Sequence, residues 1–209
     1  MDGLMQLACA EFAEILASNA PAPGGGGASA YVGALGIALG SMAGRLTGGK
    51  AKYKEVQGEI EALLQYADRL RLRLQELVAE DALAFAPLAR AYGLPTGTDA
   101  EKRVKAETLE IALKAACDVP LAIMEACCEA IVLIGEFAEK GSKLAVSDAG
   151  AGAVFCKAAL IGASLNVFIN TKLMMDKSYA EALNAKASAM VAEYGGKADE
   201  IYEAVRGRM

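Results

Sequence analysis

The chain has 209 residues, 55% of them hydrophobic, with a formal net charge of -5; that is enough apolar material for one core and one domain, and the acidic balance argues against a nucleic-acid-binding face. With no histidine, no tryptophan and only 6% aromatic residues, Ser-His-Asp triads, imidazole bases, His-ligated metals and broad stacking platforms are excluded together, so acid–base work falls to Asp, Glu, Lys, Tyr or Cys. Cys9, Cys117, Cys127, Cys128 and Cys156 show no C-x-x-C spacing and read as small core residues in a reducing, cytoplasmic setting.

Asp2 is placed to cap a first amphipathic helix carrying Leu4, Leu7, Phe12, Ile15 and Leu16 and ending near Asn19. Asp2, Glu11 and Glu14 break up its apolar character, so no signal peptide is expected. Pro21, Pro23 and the run Gly24–Gly27 interrupt the pattern, and Ala28 to about Leu46 resumes it with no charge between Glu14 and Arg45. Gly36, Gly40 and Gly44 form a double G-x-x-x-G that would suit helix association in lipid; the short apolar run, rich in Ala and Gly, fits a closely packed central helix of a bundle better, and no membrane partner is expected.

A long helix follows from about Tyr53 to Tyr92, its apolar stripe interrupted by Asp81. After Gly93, Pro95 and Gly97, another helix starts at Asp99 and runs to Gly141, with a kink expected at Pro120. Ser147 is expected to cap a helix to about Asn170 that is apolar nearly all round, and a charged amphipathic helix closes the chain over Lys177–Val205. The pattern predicts an all-α, single-domain bundle of about six helices, with no strand alternation.

Several residues are candidates for chemistry. The backbone N–H groups of Gly24, Gly25, Gly26 and Gly27, ahead of an apolar helix, suit a carboxylate or a polar heterocycle edge; a tight turn between helices explains them equally well, and the run matches neither a P-loop nor a dinucleotide fingerprint. Asp81, a lone carboxyl on an apolar stripe, should be desolvated and titrate high, as a proton carrier requires, unless a neighbouring Lys or Arg pairs with it. Ser147 and Asp148 open the most apolar helix, and Asn166 and Asn170 share one of its faces, either reading a ligand edge or bonding one another across a symmetric interface. Lys50, Lys52 and Lys54 sit at a helix-to-helix turn within reach of a carboxylate, whereas Arg69, Arg71 and Arg73 read as solvated surface.

Four segments occur in a telling order: Pro21–Ala30 (PAPGGGGASA), Leu46–Tyr53 (LTGGKAKY), Asp81-Ala82 with Phe85 and Ala91–Pro95, and Ser147–Gly150 with Asn166–Asn170. Together they resemble the formiminotetrahydrofolate cyclodeaminase / methenyltetrahydrofolate cyclohydrolase family, over about Ala20 to Asn170. The resemblance implies one helical domain over residues 1–209, a homodimer, and a folate substrate, possibly polyglutamylated, in a cleft near the subunit interface. It implies either closure of 5-formiminotetrahydrofolate with loss of ammonia or hydration of 5,10-methenyltetrahydrofolate to 10-formyltetrahydrofolate. No cofactor beyond the tetrahydrofolate substrate, and no metal, is expected. On this resemblance Asp81 and Asp148 are the acid–base or cation-stabilising groups, and Lys50 carries a proton or orients water. Gly24–Gly27 and Ser29 lie against the pterin or bridge, Ser147, Asn166 and Asn170 line the cleft, and Lys52 meets the glutamate tail. Gly27 stands where the family pattern has Ser, and Ala51 where a second Lys is common. Two other readings make different demands: a structural or scaffold bundle would scatter or internally pair these polar groups, and a membrane-associated oligomer would need detergent.

Overall fold

A computed structural model describes residues 3–209; the expected Asp2 cap lies outside them. Among the described residues there are seven α-helices, linked by turns and short 3-10 segments, and no strand. They are α1 (Cys9–Leu16), α2 (Gly25–Arg45), α3 (Gln57–Tyr92), α4 (Asp99–Ala115), α5 (Asp118–Lys140), α6 (Val146–Leu173) and α7 (Lys177–Arg206).

Three boundaries differ from the sequence reading for identifiable reasons. Gly25–Gly27 form the first turn of α2, with Gly24 as its N-cap, so the glycine run is helical where a loop was expected. Residues Asp99–Lys140 form two helices, because the chain turns at Ala116 and Cys117. Pro120 then falls in the first turn of α5, where a missing N–H removes no intrahelical bond, and causes no mid-helix kink. Ser147 lies inside the first turn of α6, whose N-cap is Ala145, so it caps nothing.

The core is organised around α2. Gly33, Gly40 and Gly44 of α2 face Cys127, Ile134 and Phe137 of α5, residues that ascend together, so these helices run parallel. Gly25, Ser29 and Gly36 of α2 face Asn166, Gly162 and Gly152 of α6 in descending order, so that pair is antiparallel. Leu64, Leu74 and Val78 of α3 meet Gly44, Gly33 and Gly27, again antiparallel. The G-x-x-x-G stripe is therefore spent on close packing inside the bundle, where bare backbones approach. On the far side of α6, Val205 of α7 packs on Gly150, and Asp199 bonds Lys157, the lone charge in the middle of α6. Cys117, Cys127, Cys128 and Cys156 are buried, as a core reading requires, and Cys9 is exposed.

Helices α2 and α6 are long and apolar enough to cross a membrane by length and composition. Their inner faces are the core of the bundle. Their outer faces, turned away from α5, carry exposed Leu35, Met42, Val154, Ile161, Leu165 and Ile169.

Candidate active-site cleft

At the N-terminal end of α2 an open cleft of about 190 Å³ is enclosed by Pro21 and Ala22, the start of α2, Asp81–Leu88 of α3, Ala116, Pro120 and the Asn166–Asn170 turn of α6. Asp81 is its one carboxyl. The i, i+4 stripe that buries Leu74, Leu77 and Val78 carries Asp81 to the point where α2 begins, and there Asp81 Oδ2 accepts the Gly27 N–H at 2.8 Å. Gly26 is what permits this approach: a Cβ there would overlap the carboxyl, at 2.7 Å from Oδ2. Burial pushes the Asp81 pKa above the usual carboxylate value, and the Gly27 N–H opposes only part of that rise. No Lys or Arg forms an ion pair with it among the described residues, which removes the simplest structural explanation of a carboxyl on an apolar stripe.

The asparagines flank the same cleft. Asn166 Nδ2 donates to Gly162 O at 3.1 Å, and Asn170 Nδ2 donates to Ala116 O at 3.1 Å, tying α6 to the carbonyl that ends α4. Ser29 is directed elsewhere: it is buried, its hydroxyl donates to Gly25 O at 2.7 Å, and it packs on Gly162 between α2 and α6.

The remaining expected residues gather at the opposite end of α2. Thr47, one turn beyond α2, accepts the Ser142 N–H at 2.7 Å, and Lys50 Nζ donates to Ser142 Oγ at 3.3 Å. Lys52 stacks on the Tyr53 ring at 5.5 Å, and Tyr53 OH accepts the Lys143 N–H at 3.4 Å. That bond, with the nearby Lys52 and Lys50 charges, holds the Tyr53 phenol below its ordinary pKa. Ser147 and Asp148 open α6 at this same end, level with Gly44, because α6 runs against α2. From Gly27 to Arg45 the helix rises about 27 Å, so one chain does not bring Lys50, Lys52, Ser147 and Asp148 to the Asp81 cleft. The sequence expectation of a single convergent cleft is corrected in this respect: the residues form two clusters joined by α2 and α6.

The cleft also has an apolar wall that periodicity did not single out as functional. Phe85 is half exposed at its rim, Leu88 is buried beneath it, Ile169 is exposed and Pro120 closes one side. Pro120 read as a kink; the signal that could have placed Phe85 and Ile169 at the site is their spacing from Asp81 and Asn166, one turn away on α3 and α6.

A family model described as formiminotransferase-cyclodeaminase matches residues 8–189. A methenyltetrahydrofolate cyclohydrolase of Methylorubrum extorquens is 43% identical over 198 residues, covering 95% of this chain and 95% of that protein. A formimidoyltransferase-cyclodeaminase of Mus musculus is 32% identical over 182 residues, or 87% of this chain and 34% of the mouse protein. The crystal structure of formiminotetrahydrofolate cyclodeaminase from Thermotoga maritima superposes with a TM-score of 0.80 at 28% identity, covering 98% of this chain and 96% of that one.

Proposed function

The chain belongs to the formiminotransferase-cyclodeaminase family, and from that membership we propose a folate one-carbon enzyme acting on the N5/N10 bridge of tetrahydrofolate. In this reading it interconverts 5,10-methenyltetrahydrofolate and 10-formyltetrahydrofolate, and the same cleft can cyclise 5-formiminotetrahydrofolate with loss of ammonia. The observation that carries it is Asp81: a carboxyl without a cationic partner among the described residues, raised in pKa by burial, held at the start of α2 beside an apolar wall fit for a flat ring.

Hydration then proceeds as follows. The cationic bridge, once bound, lowers the Asp81 pKa and favours its carboxylate. As water oxygen bonds to the bridge carbon, Asp81 takes the proton; it passes this proton to N5 as the carbon–N5 bond opens, and the hydroxyl proton leaves as the formyl carbonyl forms. In cyclisation N10 attacks the formimino carbon and loses its proton, while the amino group gains one and departs as ammonia. Neither route calls on any group beyond substrate, water and side chains. The Gly24–Gly27 turn and the asparagines hold the ring.

Purified protein is expected to accelerate loss of the methenyl chromophore in a buffer where spontaneous hydrolysis is slow. Formation of that chromophore from 5-formiminotetrahydrofolate without its subsequent loss would make cyclodeamination the reaction; neither change would end the catalytic reading. Gly26→Ala supplies a sharper check. The new methyl overlaps the Asp81 carboxyl, and an ångström of displacement at a reacting group costs on the order of 10²-fold in kcat/KM. Alanine is the better helix former by about 1 kcal/mol, so its Tm should stay near the wild-type value while activity falls.

The physiological assembly in this reading is a homodimer in the cytoplasm. Its support is the outer face of α2 and α6, where Leu35, Met42, Val154, Ile161, Leu165 and Ile169 are exposed together, and a cysteine pattern suited to a reducing compartment.

A further inference from the structure

We propose that a groove between α3, α5 and α7, on the side of α5 turned away from α2, binds an organic ammonium ion with an apolar body, its charge met by Glu125 and Glu129 and by the rings of Tyr66 and Tyr194. This site is separate from the Asp81 cleft and does not depend on the folate reading.

The groove holds about 410 Å³, within the roughly 300–1,000 Å³ of small-molecule sites. The Asp81 cleft holds about 190 Å³, and the two share no lining residue. Helical periodicity explains how α5 builds the groove. Cys127 and Ile134 face α2, and at about 100° per residue Glu125 and Glu129 fall on the opposite side of the helix. Between these faces Cys128 and Leu133, each 5% exposed, form the floor. Tyr66 of α3 and Met190 and Tyr194 of α7 supply the walls.

Charge complementarity selects the occupant. Among the described residues Glu125 and Glu129 are the charged groups lining the groove, and no Lys or Arg lines it. They stand one helical turn apart, a spacing at which like charges repel. Glu125 pairs with Lys186 at 2.7 Å, both ends exposed and the contact of little net worth in water. Glu129 forms no ion pair among the described residues; its carboxylate accepts the Tyr66 hydroxyl. Cys128 registers the sign of the field: after burial, the charges of Glu193, Glu125 and Glu129 push its thiol up to about 12, and only Lys197 opposes. Both rings already take a cation, with Lys197 Nζ 4.3 Å from the centre of Tyr194 and the Arg69 guanidinium 5.5 Å from that of Tyr66. These are surface side chains in water, where such contacts are weak, whereas a ligand whose hydrocarbon displaces water from Cys128, Leu133 and Met190 strengthens its own contact with the rings. An anion would meet two carboxylates, and a neutral molecule would leave Glu129 without a cation; an ammonium ion on an apolar body satisfies both the field and the floor.

Phenethylammonium is the probe, with phenethyl alcohol as its neutral isostere and hydrocinnamate as the anion, each titrated into the full chain by calorimetry and ligand-observed saturation-transfer NMR. The cation is expected to saturate with a Kd of order 1 mM. The alcohol should bind at least about fivefold more weakly, and the anion should not saturate at about ten times that concentration. Glu129→Gln keeps the side-chain length and an acceptor for Tyr66; it should weaken the cation at least about fivefold and leave the alcohol unchanged. Tyr194→Leu should also weaken the cation, and Asp81→Asn should leave its Kd as it was. An alcohol that binds as tightly as the cation, wild-type affinity in Glu129→Gln, loss of binding in Asp81→Asn, or a cation that does not saturate would each overturn the proposal. Should Tyr194→Leu fail to fold, the three probes on the unaltered chain and on Glu129→Gln decide the matter. No readout involves turnover, so the outcome leaves the folate reading where it stands.

Discussion

Asp81→Asn is expected to lower kcat for methenyl hydration by about 10²- to 10⁴-fold, the range carried by a positioned general acid–base group. The amide keeps the shape and an oxygen for the Gly27 N–H, so binding should change far less than turnover. The wild-type rate requires the carboxylate and should therefore rise with pH through the Asp81 pKa. In kcat/KM, which reports the free enzyme, that limb lies above the usual carboxylate range because burial raises the group. In kcat it lies lower, because the bound cation favours ionisation. Both limbs disappear in Asp81→Asn.

Stability gives an independent sign. A carboxyl whose folded-state pKa is raised stabilises the fold below its unfolded pKa and loses that contribution as pH rises through the folded value. At neutral pH the ionised Asp81 is thus a cost, and Asp81→Asn should keep or raise Tm at pH 7, with the advantage shrinking toward pH 4. A Tm that falls at pH 7 would mean that Asp81 holds the fold together and would count against its catalytic role.

Gly152→Ala is expected to destabilise the fold strongly. A Cβ there would sit 2.6 Å from Gly36 O and 3.4 Å from Gly40 N, and these are backbone atoms of a facing helix, which have no rotamer to escape into. The helices must separate, loosening Ile134 and Cys156 packed along the same line. Overpacking of this kind costs about 3 kcal/mol, equivalent to a Tm lower by roughly 6–12 °C for a chain of this size. Gly196→Ala on α7, where a Cβ meets nothing, is the control and should leave Tm unchanged or slightly raised; scanning calorimetry of both variants decides.

Much of the architecture was legible because helical periodicity is a local property. The 3.6-residue stripe of α3 and the charged face of α7 each report a burial pattern that the folded chain reproduces, whereas α6, apolar on all sides, buries only one face and leaves Val154, Ile161, Leu165 and Ile169 exposed. Boundaries were less legible where the backbone itself decides. Gly25–Gly27 look like a loop by composition, yet they form the first turn of α2, where the bare Cα of Gly26 admits the Asp81 carboxyl. Pro120 looks like a kink, yet the turn at Ala116 and Cys117 puts it where a proline is tolerated.

By itself the sequence determined the fold class, the absence of imidazole chemistry and the desolvation of Asp81, since a carboxyl on an apolar stripe announces burial at any position in a bundle. Four ordered motifs determined the family. Only the tertiary structure decided which candidates meet. The antiparallel pairing of α2 with α6 carries Asn166 and Asn170 to Asp81 and sends Ser147 and Asp148, with Lys50 and Lys52, to the other end. The direction in which two helices pack depends on contacts between residues more than a hundred positions apart, and no local pattern along either helix contains that information.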